Sequence, residues 1–196
     1  MEKFDLINKY TKKIVRKKFR RELMGFNRVK TVTSREYMMK FIYNLDVVKD
    51  DLSDLENKVK EFLVGNEEYI VNRFEELKLQ SSNDSDVHES METEEEIDLE
   101  NYLNLDYVSN VCKIYEEKHE EIDEAIDKYA KGWSIMTMPK VDVAILRLAI
   151  AEIGFIDSIP EKVSINEAIE MAKMYCDDKS PKFINGVLGS YLNDRK

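Results

Sequence analysis

From Val141 to Ile156 the sequence is apolar nearly all round a helix, interrupted inside the run by Arg147 and Glu152. A surface helix needs only one apolar stripe, so a helix that is apolar on every side must be enclosed by other elements. The segment therefore predicts the buried centre of a helical domain. Charge inside such a centre has to find partners, so Arg147 and Glu152 read as structural ion pairs rather than catalytic groups.

The flanking sequence supplies helices to enclose it. Pro139 fits the first turn of the central helix. Ser164-Ile-Asn-Glu167 has the pattern of a capping box, and Ser180-Pro181 reads as an N-cap followed by proline at the first helical position. Upstream, residues 4–24 predict a basic helix. A second helix starts at Thr33 or Ser34, with Met38, Phe41, Leu45 and Val48 on one stripe and Tyr43 roughly opposite. Leu52, Leu55, Val59 and Phe62 form another stripe, and Ile70, Phe74 and Leu77 a shorter one. Val108, Val111 and Tyr115 restart the pattern, which Ile122, Ile126, Tyr129 and Trp133 continue. With only six glycines and three prolines in 196 residues, the expectation is an all-α fold: two small helical bundles packed around a buried central helix. The expected organisation is a basic N-terminal extension (1–30), an N-terminal helical half (31–135) and a C-terminal helical half (136–196).

Charge is unevenly spread. Residues 1–30 hold eleven Lys/Arg against three Asp/Glu, within a chain of net charge -10. A basic arm on an acidic body suits a polyanion-seeking segment, because local charge steers nucleic acid, although a solvated tail has the same composition. Residues 81–100 carry nine acids and no Lys or Arg, the composition of a mobile acidic insert. Cys112 and Cys176 lack metal-ligand spacing and read as free thiols of a reducing compartment. No apolar run approaches the roughly 20 residues that span a bilayer, and no signal core opens the chain, so a cytoplasmic protein without a membrane partner is expected.

Enzyme chemistry finds no footing. The chain contains neither a glycine-rich phosphate loop nor a nucleophile elbow. His88 and His119 stand in charged surroundings far from any cysteine pair. No catalytic residue, metal ligand or cofactor is expected. The start of the last helix is more informative. Lys179 and Lys182 flank it, first-turn amides add partial positive charge, and Phe183 follows, able to stack a base. Asp177 and Asp178 oppose an anion there, and an ordinary capped helix has the same residues.

Residues 142–188, with Ala144-Ile-Leu-Arg-Leu-Ala149, Ile165-Asn-Glu-Ala-Ile-Glu170 and Lys182-Phe-Ile-Asn-Gly-Val-Leu188, resemble the C-terminal half of the NusB family of transcription antitermination factors. Ser34-Arg-Glu36 and Phe41-Ile-Tyr43 resemble its first helix. The resemblance implies an RNA-binding adaptor that joins boxA-type RNA of nascent ribosomal-operon transcripts to NusE, the small-subunit ribosomal protein, and to the RNA polymerase elongation complex. It also implies RNA contacts at Arg35, Lys179, Lys182 and Phe183, and NusE contacts at Tyr43 and Asp142. Thr31-Val-Thr-Ser34 stands where the family is basic, so the basic arm, with Arg28 and Lys30 nearest the body, is expected to replace the missing arginines. Two other readings stay open. One is a NusB-like protein-interaction scaffold with weak or no RNA binding. The other is a stand-alone accessory to an RNA cytosine methyltransferase, an enzyme class in which a similar domain is fused to the catalytic one.

Overall fold

The computed structural model describes residues 2–81 and 97–195, with side chains from residue 25 onward. Among the described residues the elements are all helical: α1 (Glu2–Val48), α2 (Leu55–Val64), α3 (Glu67–Ser81), a one-turn 3-10 helix (Leu99–Asn101), α4 (Leu105–Tyr129), α5 (Lys140–Phe155), α6 (Glu161–Tyr175) and α7 (Ser180–Asp194). Most of the acidic insert lies outside the described residues. Its two ends are helical, Ser81 closing α3 and Asp98 capping the 3-10 turn through the Glu100 amide.

Helix α1 corrects one expectation. Thr33 and Ser34 do not start a helix; both lie inside a single 47-residue one. No proline interrupts this stretch, and the hydroxyls that could cap a helix turn back onto it. Thr31 Oγ1 donates to the Asn27 carbonyl and Thr33 Oγ1 to the Val29 carbonyl, each at 2.9 Å, the back-bonding that lets threonine sit mid-helix.

The chain divides into two compact units. One comprises residues up to Thr33 together with Glu67–Asn104. Its centre is aromatic: Phe74, 1% exposed, meets Phe26 and Tyr102 edge-on at 5.4 Å each, a preferred geometry for ring quadrupoles. Val29, Ile70 and Leu103 complete this small core.

The other unit comprises Ser34–Asn66 and Leu105–Lys196. As expected, α5 is its centre, buried at every residue from Asp142 to Ile153 and packed against α4, α6 and α7. The two charges inside it are paired. Arg147 donates to both carboxylate oxygens of Asp123 at 2.8 Å and to Asp46 Oδ1 at 3.1 Å. Glu152 Oε1 accepts from Arg35 Nε at 2.7 Å and from the Tyr107 hydroxyl at 2.6 Å. Burial and the neighbouring Glu152 carboxylate push the Tyr107 phenol well above its ordinary range, so it stays a donor.

Partial burial favours the neutral form of Asp46, but bonds from Lys140 and Arg147 outweigh it and hold the carboxyl below its usual range. A carboxyl with a depressed folded pKa contributes stability above its unfolded pKa and loses it as pH falls through the folded one. Asp46→Asn should therefore cost about 1–2 kcal/mol at neutral pH. In urea titrations the gap to wild type should close as pH drops below about 4; a gap that is the same at pH 3 would contradict this account.

Two helix boundaries, one start and one end, differ from the sequence pattern. Pro160, extended at ψ 131°, accepts from the Val163 amide at 2.7 Å and begins α6 at Glu161. That places Ser164 one turn inside the helix, 2% exposed, so the capping box does not form. At the other boundary α4 ends at Tyr129, and Gly132 takes a φ of +81°, a conformation open to glycine at little cost. Trp133, expected on the buried stripe, is consequently 49% exposed.

Candidate nucleic-acid interface

The start of α7 is organised by Asp177 rather than by the expected N-cap Ser180. Asp177 Oδ1 accepts from the amides of Lys179 at 2.9 Å and Ser180 at 3.1 Å, and these bonds hold its carboxyl below the usual range. That lets the Ser180 hydroxyl donate inward to Asp142 Oδ2, at 2.8 Å. Asp142 stands in the first turn of α5 and is 3% exposed. The first turns of α5 and α7 are thus tied together, which fixes where Lys179, Lys182 and Phe183 emerge. Burial, with the Asp142 carboxylate beside it, pushes the Cys176 thiol up to about 12, so at neutral pH it is no nucleophile.

Those three residues line one groove of about 570 Å³, together with Tyr129, Lys131 and Asp178. The end of α4 brings Tyr129, and the turn after it brings Lys131. Three lysines and one acid, Asp178, line the groove, while the Asp177 carboxylate takes up the amides at the start of α7. The ring of Trp133 stands beside that of Phe183, a lining residue, 6.2 Å away and tilted by 59°. Cations beside exposed aromatic faces suit phosphate and base of a single-stranded nucleic acid. Periodicity alone puts Tyr129 and Trp133 into the core stripe. The signal that separates them from it is Lys131-Gly132, a basic residue followed by glycine at a helix end.

The remaining expected site residues are dispersed. Arg35, expected at the RNA, is 5% exposed, and its Nε is engaged with Glu152. Burial opposes its charge, but the Glu152 carboxylate more than offsets this and raises its pKa. It is a member of the core. Asp142, expected at NusE, is buried and accepts from the Ser180 hydroxyl. Tyr43 does stand on the surface of α1, 36% exposed. Arg28 is exposed, and Lys30 is half-buried in the first unit. There the Lys30 ammonium donates to the Glu100 carbonyl and lies 4.8 Å over the Phe26 ring. The other cations of the basic arm belong to residues whose side chains are not described. No helix among the described residues is long and apolar enough to cross a membrane.

Comparison with known proteins follows the same direction. The NusB family profile matches residues 66–193. The transcription antitermination protein NusB of Clostridium tetani is 38% identical over 161 residues, covering 82% of this chain and 95% of its own length. Among solved structures, T. maritima NusB is similar with a TM-score of 0.56 at 26% identity, covering 83% of this chain and 90% of that one. A chain from a crystal structure of the antitermination factors NusB and NusE with double-stranded RNA has a TM-score of 0.53 at 21% identity. The match covers 83% of this chain and 96% of that one, and it is a likeness of fold.

Proposed function

This chain belongs to the NusB family, and from that premise we propose that it is a non-enzymatic, RNA-binding adaptor of transcription antitermination. It binds boxA-type RNA together with NusE and promotes read-through by RNA polymerase. The observation that carries the reading is the groove at the start of α7, which Lys131, Lys179 and Lys182 line together with Phe183. Phosphate contacts by the lysines supply affinity without sequence, and the aromatic faces supply contact to bases. Tyr43, exposed on α1, is the candidate anchor for NusE, in keeping with the weight that aromatic residues carry at interfaces.

The burial of Arg35 against Glu152 supports the competing reading, a scaffold that holds NusE without RNA, because the family resemblance assigned this arginine to RNA. Under the adaptor reading the basic arm compensates, with Arg28 and Lys30 at its base.

A mobility-shift titration with boxA-type RNA, with and without NusE, separates the two. The adaptor shifts the RNA alone and does so more tightly with NusE. Removing residues 1–27 should weaken binding and flatten its salt dependence by about 0.7 in log–log slope for each phosphate no longer neutralised. Tyr43→Asp should weaken the NusE complex by about 2 kcal/mol while leaving the far-ultraviolet circular dichroism unchanged. An RNA that never shifts, with NusE still captured, would establish the scaffold instead.

A further inference from the structure

We propose that Trp133 is a base-stacking platform that extends the α7 groove by one nucleotide. The inference rests on the RNA-binding reading of that groove and assigns to it a residue outside the α7 segment. Large aromatic side chains are normally covered by the fold, and Trp133 is 49% exposed, although it follows a helix whose apolar stripe could have buried it. Its ring lies beside that of Phe183, a lining residue of the groove, with centroids 6.2 Å apart. Lys131 stands two residues before it and lines the groove with Lys179 and Lys182.

Geometry decides how a base is received. Two rings tilted by 59° at 6.2 Å leave no parallel slot between them, so a base cannot be sandwiched. It stacks instead on the open face of the indole, while the following phosphate drops toward the lysines. The ligand class is a single-stranded ribonucleotide segment. Because every base has a π-face, the platform adds affinity more than sequence preference. A duplex, whose bases are already stacked on each other, gains little from it.

Trp133 is the only tryptophan in the chain, so its fluorescence reports this position alone. The experiment follows one titration of the full chain in two channels: anisotropy of a labelled, single-stranded boxA-type RNA, and quenching of indole emission. Stacking predicts quenching that saturates in step with the anisotropy. Trp133→Ala should weaken binding by about tenfold at unchanged salt slope, since no charge is removed, and Trp133→Phe should restore most of the loss. Anisotropy that rises without quenching, or full affinity in the Trp133→Ala protein, would overturn the platform and leave the RNA reading standing. Absence of any anisotropy change would overturn both.

Discussion

Replacing Arg35 by Met is expected to lower the unfolding free energy by about 3–5 kcal/mol. The side chain is 5% exposed and its Nε lies 2.7 Å from Glu152 Oε1, while Glu152 itself is 1% exposed. Methionine fills much of the same volume, so the loss comes from the carboxylate left behind. A buried charge answered by the Tyr107 hydroxyl without the guanidinium bears most of its desolvation penalty. The double replacement Arg35→Met with Glu152→Leu removes both charges and should regain most of the stability, because an apolar pair of similar size matches or exceeds a buried ion pair. Urea unfolding of wild type, Arg35→Met, Glu152→Leu and the double replacement gives the cycle directly. A single variant within 1 kcal/mol of wild type would show that water reaches the pair. The same proteins test whether Arg35 is structural or meets phosphate: under native conditions a structural role predicts that the folded Arg35→Met protein keeps its RNA salt slope, which removal of a phosphate-binding cation would lower.

The second large effect is expected at Phe183. Its truncation to Ala should weaken single-stranded RNA binding by about 1–3 kcal/mol, read as a rightward shift of the anisotropy titration at constant salt slope. Lys182→Ala should do the reverse. It should lose less affinity at moderate salt but flatten the log–log slope by about 0.7. The contrast separates stacking from counterion release at two adjacent residues. Both variants should unfold near the wild-type midpoint, since Lys182 is exposed and Phe183 only half-buried. Equal slopes in all three proteins would remove Lys182 from the phosphate path.

What the sequence made legible follows from what periodicity can encode. The central helix was visible because apolar residues on every side leave no alternative to enclosure, and the same logic paired Arg147 and Glu152 with partners elsewhere in the chain. The α7 part of the groove was visible because Lys179, Lys182 and Phe183 lie within about one turn of each other. Lys131 was not, since no local pattern reveals that the end of α4 returns beside α7. Hydroxyl residues misled in each case for one reason. Thr33, Ser34, Ser164 and Ser180 all have cap chemistry, but a cap exists only where the backbone leaves the helix. Three of them lie inside helices, and the fourth donates to Asp142 while Asp177 caps in its place. The burial of Arg35 was beyond reach for a related reason: its partner is 117 positions away.

One dihedral angle has an outsized influence on what this protein can touch. Were α4 to run on through Gly132 in regular register, the indole would fall four residues after Tyr129, on the stripe of Ile122 and Ile126, and would be drawn toward the interior. The left-handed turn at Gly132 instead releases it to solvent. A side chain at this position meets no steric obstacle, so the objection to it is the backbone conformation alone, about 1 kcal/mol. The identity of one small residue thus sorts the chain's only tryptophan between two careers, ballast for the core or an instrument at the surface.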